Sequence, residues 1–274
     1  MFIDNKNLWH FVNYSPWPIC VSLITGVLPF TLVSFFIGGT GNLYWFFFGF
    51  IALFCVTLFW FFDINTESAR EGYHLDSIQL LVRRSMALFI FSEVMFFFGF
   101  FWSFFWASFY PTLDIEVTWP SEALYDLVLD PLALPFINTI ILLLSGFTLT
   151  LAHLLINYGN IKLALNFCFI TLFLALSFIF VQGFEYFSGS FDISDSVYGT
   201  EFYVCTGFHG FHVIIGAIFI FIITLRIMKN QFSRSHHFGF EASAWYWHVG
   251  DVVWLYLFVM IYFLGDDLIE QLVI

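Results

Sequence analysis

The chain has 274 residues, of which 61% are hydrophobic and only 10% charged, with a formal net charge of -12 and a mean hydropathy of +0.89. This composition excludes an ordinary soluble globule and every disordered class, and it leaves a polytopic membrane protein. The apolar runs are continuous and far longer than a barrel strand of about 10 residues, which excludes a membrane β-barrel as well.

The start, MFIDNKNLWHF, lacks both a charged-then-apolar signal and an Arg-rich amphipathic transit sequence. The first span is therefore expected to act as its own insertion signal. Runs of about 20 apolar residues, enough to cross a hydrocarbon layer of about 30 Å, fall at Trp17–Ile37, Leu43–Phe62, Met86–Tyr110, Leu132–Ile156, Leu163–Phe187, Phe202–Ile227 and Phe240–Leu264. They predict an all-α protein of seven membrane spans, the third and sixth with room to begin earlier as longer helices with a polar end. Between the second and third runs, Asp63–Arg84 reads as a loop whose later part has helical spacing. Pro111, Pro120, Pro131 and Pro135 punctuate the segment between the third and fourth and confine any helix there. In the sixth span Gly207, Gly210 and Gly216 recur at a spacing that lets neighbouring helices approach closely. Cys20, Cys55, Cys168 and Cys205 lie in or at the ends of apolar runs without a CxxC pair, and read as small hydrophobes.

Seven spans put every Lys and Arg of the chain on the N-terminal side: Lys6, Arg70, Arg83, Arg84, Lys162, Arg226, Lys229 and Arg234. The opposite loops and tail hold acids instead, among them Asp114, Glu116, Glu122, Asp192, Asp195 and Asp266. By the positive-inside rule the N-terminus faces the cytoplasm or mitochondrial matrix and the C-terminus faces out. Six or eight spans would scatter the basic loops over both sides, so the charge pattern supports seven.

Ionisable residues inside spans are costly and mark either function or buried pairing. Glu93 lies in FIFSEVMFFF, with no basic neighbour in sequence, where desolvation favours the neutral carboxyl. It reads as a proton-exchanging acid or as a protonated carboxyl hydrogen-bonded to another helix. Glu185, beside Gln182 near the end of the fifth span, reads as a structural contact. The seventh span carries Glu241, His248 and Asp251. Glu241 is expected at the basic boundary near Arg234, leaving His248 and Asp251 as deeper structural polar groups. His209 and His212, three apart on one helix face, could ligate a metal or haem with His153 and His248. His236 and His237, however, read as loop residues, and the remaining histidines are too few for a di-iron or haem–copper site. Helix–helix hydrogen bonds by His209 and His212 are the expected use, with no metal bound. On the inner side Glu67, Arg70, Glu71, His74, Arg83 and Arg84, near Trp60, suit a phospholipid headgroup or a plain interfacial rim. No Gly-rich phosphate loop, nucleophile elbow or nucleic-acid patch is present in the sequence.

The segments HFVNYSPWP (His10–Pro18), SEVMFFFGFFWSFF (Ser92–Phe105), QGFEY (Gln182–Tyr186), YGTEFYVCTGFHGFHVIIG (Tyr198–Gly216) and HHFGFEASAWYWHVGDVVWLYLFVMIYFLG (His236–Gly265) resemble cytochrome c oxidase subunit III, in the same order, from His10 to Gly265. The resemblance implies a core subunit of the respiratory oxidase that binds no cofactor of its own, haem and copper residing in partner subunits. It implies a single membrane domain over 1–274. Residues 17–62 would form a two-helix arm, 63–85 an inner-side loop and helix start, 86–264 a five-helix bundle, and 265–274 an outer tail. The arm would splay away to form a V-shaped cleft filled with phospholipids, which is also a proposed oxygen route. The implied partners are the catalytic oxidase subunit I, other complex IV subunits and membrane phospholipids, with no nucleic acid. The implied roles are stabilising subunit I, sustaining proton uptake and protecting the catalytic centre from inactivation.

Carried over by position, Glu93 matches a buried carbodiimide-reactive acid, and Trp60, Glu67 and His74 match the surroundings of a lipid site. Phe62 and Thr66 stand where family members often have Arg, a loss for which Arg70 can compensate. The Phe-rich composition, 43 residues, points to an A- and T-rich organelle genome and to the mitochondrial inner membrane, with the C-terminus in the intermembrane space. A bacterial quinol oxidase subunit, a proton-coupled transporter using Glu93 and a His-ligated membrane oxidoreductase are the alternatives.

Overall fold

The computed structural model of the chain describes residues 12–38, 42–69, 76–111, 119–121, 124, 127–234 and 236–265. Among the described residues are seven helices and no strand: α1 (Trp17–Phe36), α2 (Asn42–Ala69), α3 (Asp76–Phe109), α4 (Leu134–Tyr158), α5 (Ile161–Ser188), α6 (Val197–Met228) and α7 (Phe238–Leu257). A π-helical stretch, Phe258–Phe263, carries α7 onward. All seven helices are long and apolar enough to cross a membrane. As the sequence allowed, α3 and α6 begin well before their apolar cores. At 34 residues and about 1.5 Å per residue, α3 exceeds a hydrocarbon layer of about 30 Å, so part of its length lies beyond the layer.

One boundary departs from expectation. Asp63–Ala69, read from sequence as the start of a loop, is a continuation of α2. A hydropathy window reports where a helix leaves lipid, and nothing requires the backbone ladder to end there. No Gly or Pro interrupts the chain between Phe50 and Ala69, and the Asp63 carboxylate accepts a hydrogen bond from the Trp17 indole of α1.

Residues 1–82 and 83–274 form two compact units. In the first, α1 and α2 pack along each other, with Trp17 stacked on Phe59 at 5.7 Å. Pro16 and Pro18 flank the start of α1, where the absent N–H leaves no broken ladder bond. The hydroxyls of Ser22, Thr25, Thr31 and Ser34 each donate to a carbonyl of the preceding turn. Without water in the hydrocarbon layer, a helix satisfies such groups internally.

In the second unit, α4 and α5 are joined by the tight turn Gly159–Asn160. Gly159 takes φ +82°, a left-handed conformation that costs a residue with a Cβ about 1–2 kcal/mol. Asn160 caps α5 by accepting from the Leu163 N–H at 3.3 Å. Pro135 sits in the first turn of α4, starting that helix rather than merely bounding a loop. The core is built by α4 to α7 around Trp254, Tyr262, Tyr198, Phe178, Phe202 and Phe240, all fully buried.

Several polar groups inside this core are paired across helices, while Asn138 Oδ1 and Glu185 Oε2 have no partner among the described residues. The Trp247 indole donates to Ser145 and the Trp254 indole to Thr139, each at 2.9 Å, tying α7 to α4. Tyr186 donates to Thr206 at 2.7 Å between α5 and α6. Glu185 is buried and accepts from Tyr262 at 2.6 Å and Gln182 at 3.1 Å, while Asn138 donates to Gln182 at 3.1 Å. In low dielectric such connected networks fix helix rotation more firmly than apolar packing does.

The small-residue expectation for α6 holds at one position of three. A Cβ on Gly216 would meet the Trp247 ring at 2.9 Å, whereas at Gly207 and Gly210 nothing lies within 4 Å among the described residues. Spacing shows where small residues sit, and only the packing shows which of them a neighbouring helix approaches. All four cysteines are free, with Cys168 and Cys205 buried.

Candidate functional site

Deep polar residues from three helices of the second unit converge on a small cavity. Glu93 of α3, His209 and His212 of α6, and Asp251 of α7 all line it, together with Phe97, Leu142, Tyr246 and Trp247.

Glu93 is not left with an apolar surround. Its Oε2 lies 2.5 Å from His212 Nε2, and their side chains are 25% and 15% exposed. His212 Nδ1 lies 2.7 Å from the Phe208 carbonyl, an acceptor only, so Nδ1 carries a hydrogen and donates it. The contact between Nε2 and the carboxyl therefore needs one further proton. That proton sits on the carboxyl facing a neutral imidazole, or on Nε2 facing a carboxylate. Ring packing holds the imidazole in place: Phe97 meets it edge-on at 5.1 Å and Tyr246 stacks on it at 6.2 Å. Phe89 in turn stacks on Tyr246 at 6.3 Å. Sequence reading missed this pair because the partners are 119 residues apart.

Asp251 is 7% exposed, and its Oδ2 lies 3.2 Å from His248 Nδ1, one turn earlier on α7. His248 Nε2 reaches Thr150 of α4 at 3.2 Å. Gly146 makes room for the pair: a Cβ there would land inside the van der Waals envelope of Asp251 Oδ2 and only 3.4 Å from His248 Nδ1. His209 Nε2 donates to the Gly250 carbonyl at 3.2 Å. Its Nδ1 and the Asp251 Oδ1 are buried and without a partner among the described residues. His209 and His212 thus face different partners.

Of the residues expected around a lipid headgroup, Trp60 and Glu67 lie on α2, seven residues and about two turns apart and so on one face. Both are half-buried, while Arg70 and His74 lie outside the described residues. Arg83 is engaged within the second unit. Its guanidinium donates to Glu241 of α7 at 2.9 and 3.0 Å and lies over the Phe238 ring, 5.4 Å from the centroid.

Glu241, expected only to lie at the basic boundary, is thus paired with Arg83, while the Arg234 guanidinium packs against Gly159. His237 lies in the loop, as expected, but is buried there as the residue that immediately precedes α7. Its Nε2 lies 3.3 Å from His153 Nε2 and 3.5 Å from Glu241 Oε1. The His237/Glu241 spacing of four was the sequence signal for part of this cluster, and sequence reading passed over it.

The chain matches the family model of cytochrome c oxidase subunit III over residues 7–266. It is 45% identical over 260 residues to cytochrome c oxidase subunit 3 of Prototheca wickerhamii, covering 95% of this chain and 98% of that one. It is also 45% identical over 270 residues to the wheat protein of the same name, from Triticum aestivum, covering 97% and 99%. With the horse protein, from Equus caballus, it shares 44% over 266 residues, covering 94% and 97%.

Proposed function

The chain belongs to the cytochrome c oxidase subunit III family, and from that premise we propose how its residues serve the oxidase. Its role is that of subunit III in complex IV, part of an oxidoreductase that passes electrons from cytochrome c to oxygen, with no redox centre of its own. Haem and copper belong to partner subunits, and the helices of this chain pack on and stabilise the catalytic subunit I. The chain resides in the mitochondrial inner membrane with its N-terminus in the matrix, a reading that rests on the gathering of all eight Lys and Arg on one side.

Within that role, the Glu93–His212 pair holds a proton for uptake. The observation that carries this reading is the 2.5 Å contact, with Nδ1 of His212 already committed to the Phe208 carbonyl. Two groups sharing one proton pass it with little movement, since either can hold it while the other keeps the hydrogen bond. Tyr246 and the edge of Phe97 keep the imidazole aimed at the carboxyl, and Glu93 is accessible enough to exchange. Trp60 and Glu67 on α2, with Arg70 and His74 following them in sequence, supply an aromatic anchor and polar groups of both signs, which suits a phospholipid headgroup.

The test is Glu93→Gln in the purified oxidase. Glutamine still donates to His212 Nε2 but has no proton to exchange, so the complex should assemble with normal haem content. Proton uptake during turnover should slow, and activity should decay faster over successive turnovers. Unchanged uptake and unchanged endurance in an assembled Glu93→Gln oxidase would overturn the reading.

A further inference from the structure

The cluster formed by His153 of α4 with His237 and Glu241 at the start of α7 has no part in the proton pair, yet it has the composition and convergence of a ligand set. We propose that these three residues form an exchangeable site for one zinc-class divalent cation at the Lys- and Arg-rich end of the bundle. This departs from the expectation that the chain binds no metal, which rested on His153, His209, His212 and His248 with His237 set apart as a loop residue.

The geometry carries the proposal. One ligand atom from each residue lies within 4.8 Å of the others. The His153–His237 and His237–Glu241 separations are 3.3 and 3.5 Å. A tetrahedral ion bound at about 2.0–2.1 Å sets its donors about 3.4 Å apart, so two edges of the triangle already have the needed length. A turn of the Glu241 carboxyl, the most adaptable of the three groups, shortens the third.

The tautomers are also arranged for a cation. His237 Nδ1 lies 3.1 Å from the Ser233 carbonyl and so donates to it, which turns the Nε2 lone pair of the neutral ring toward the cluster. A ligating imidazole held by such a backbone carbonyl is the usual outer-sphere arrangement of metal-bound histidine. With His237 neutral, His153 Nε2 supplies the hydrogen that joins the two rings, and an ion would take over that bridging place. Phe240 stacks on the His153 ring at 5.6 Å and fixes its plane.

Two imidazoles and a carboxylate are borderline ligands that favour zinc over magnesium or calcium, which take all-oxygen sets. Three protein ligands leave a fourth position for water. Arg83 holds the Glu241 carboxyl at 2.9 Å. It neutralises that carboxyl when no ion is bound and opposes a cation when one arrives. The site is therefore exchangeable, unlike a closed structural zinc whose ligands are folded around it. Being redox-inert, zinc leaves the subunit without a redox centre. It would join α4 to α7 beside the α3 residue Arg83.

The experiment uses the whole purified oxidase, stripped with a chelator and equilibrated with micromolar zinc. Zinc per haem is then measured for the parent complex and for His153→Gln, His237→Gln and Glu241→Gln. One equivalent fewer is expected in both histidine variants, and at least a tenfold weaker zinc affinity in Glu241→Gln. Equal zinc per haem and equal affinity in all assembled variants would overturn the proposal and leave the cluster a hydrogen-bonded imidazole pair. Should the variants fail to assemble, anomalous scattering at the zinc edge from the parent complex decides. A peak enclosed by the three side chains supports the site, and its absence at saturating zinc refutes it. Neither measurement depends on Glu93, so loss of the proton reading would leave this result intact.

Discussion

Replacing Gly146 by alanine tests whether the Asp251–His248 pair is seated by the absence of a side chain on α4. The new methyl would overlap Asp251 Oδ2, come within 3.3 Å of its Cγ and within 3.4 Å of His248 Nδ1. Asp251 is buried and its other oxygen already lacks a partner among the described residues, so the carboxyl has no hydrogen-bonded retreat. Forced overpacking of this kind costs about 1–3 kcal/mol. Pulling the carboxyl off His248 adds about 1–3 kcal/mol, while the better helix propensity of alanine returns about 1 kcal/mol. The net expectation is destabilisation by about 1–5 kcal/mol. The assay is the half-life of the detergent-purified complex at elevated temperature, followed by retention of this subunit, because such complexes unfold irreversibly and their stability is a rate.

Asp251→Ala removes the obstructing carboxyl, so Gly146→Ala/Asp251→Ala should lose less than the two single variants together. A coupling of at least about 1.4 kcal/mol, tenfold in half-life when fully felt in the barrier, is expected. Additivity within about 0.5 kcal/mol would refute the close-approach argument.

Further expectations concern the proton pair, the polar core and one turn. Infrared difference spectra of isotopically labelled oxidase should show Glu93 protonated or His212 doubly protonated, and never an ionised Glu93 beside a neutral His212, which would leave the 2.5 Å contact without a proton. Tyr262→Phe removes the donor to Glu185 at 2.6 Å and an acceptor for Gln182, and should shorten the thermal half-life by an amount corresponding to about 1–3 kcal/mol. Gly159→Ala meets both a left-handed backbone and the Arg234 guanidinium. It should cost about 1–2 kcal/mol for the backbone alone, and a variant as stable as the parent in the same assay would contradict the strained-turn reading.

Much of the architecture was legible because a bilayer imposes a length. Apolar runs of about 20 residues identify helices whatever they pack against, and continuous hydrophobicity separates them from barrel strands. The misjudged end, at Asp63–Ala69 of α2, lies past the apolar run, where hydropathy no longer reports on the backbone. Motif recognition worked for the same reason that partner recognition failed: QGFEY and the block ending at Gly265 are contiguous strings, whereas Glu93 and His212 meet across 119 residues.

What the sequence by itself determined is the number of spans, their all-helical character, the concentration of positive charge on one side and the family. Each depends on local composition or on the order of residues along one strand of chain. Only the tertiary structure decided who faces whom. It gave Glu93 a histidine, paired Glu241 with Arg83, and brought His237 to His153. Among the described residues it also gave Gly216, and neither Gly207 nor Gly210, a close neighbour on another helix. Those outcomes depend on the rotation and depth of each helix against the others. Neither hydropathy nor spacing sets rotation and depth in a chain whose helices are apolar on nearly every face.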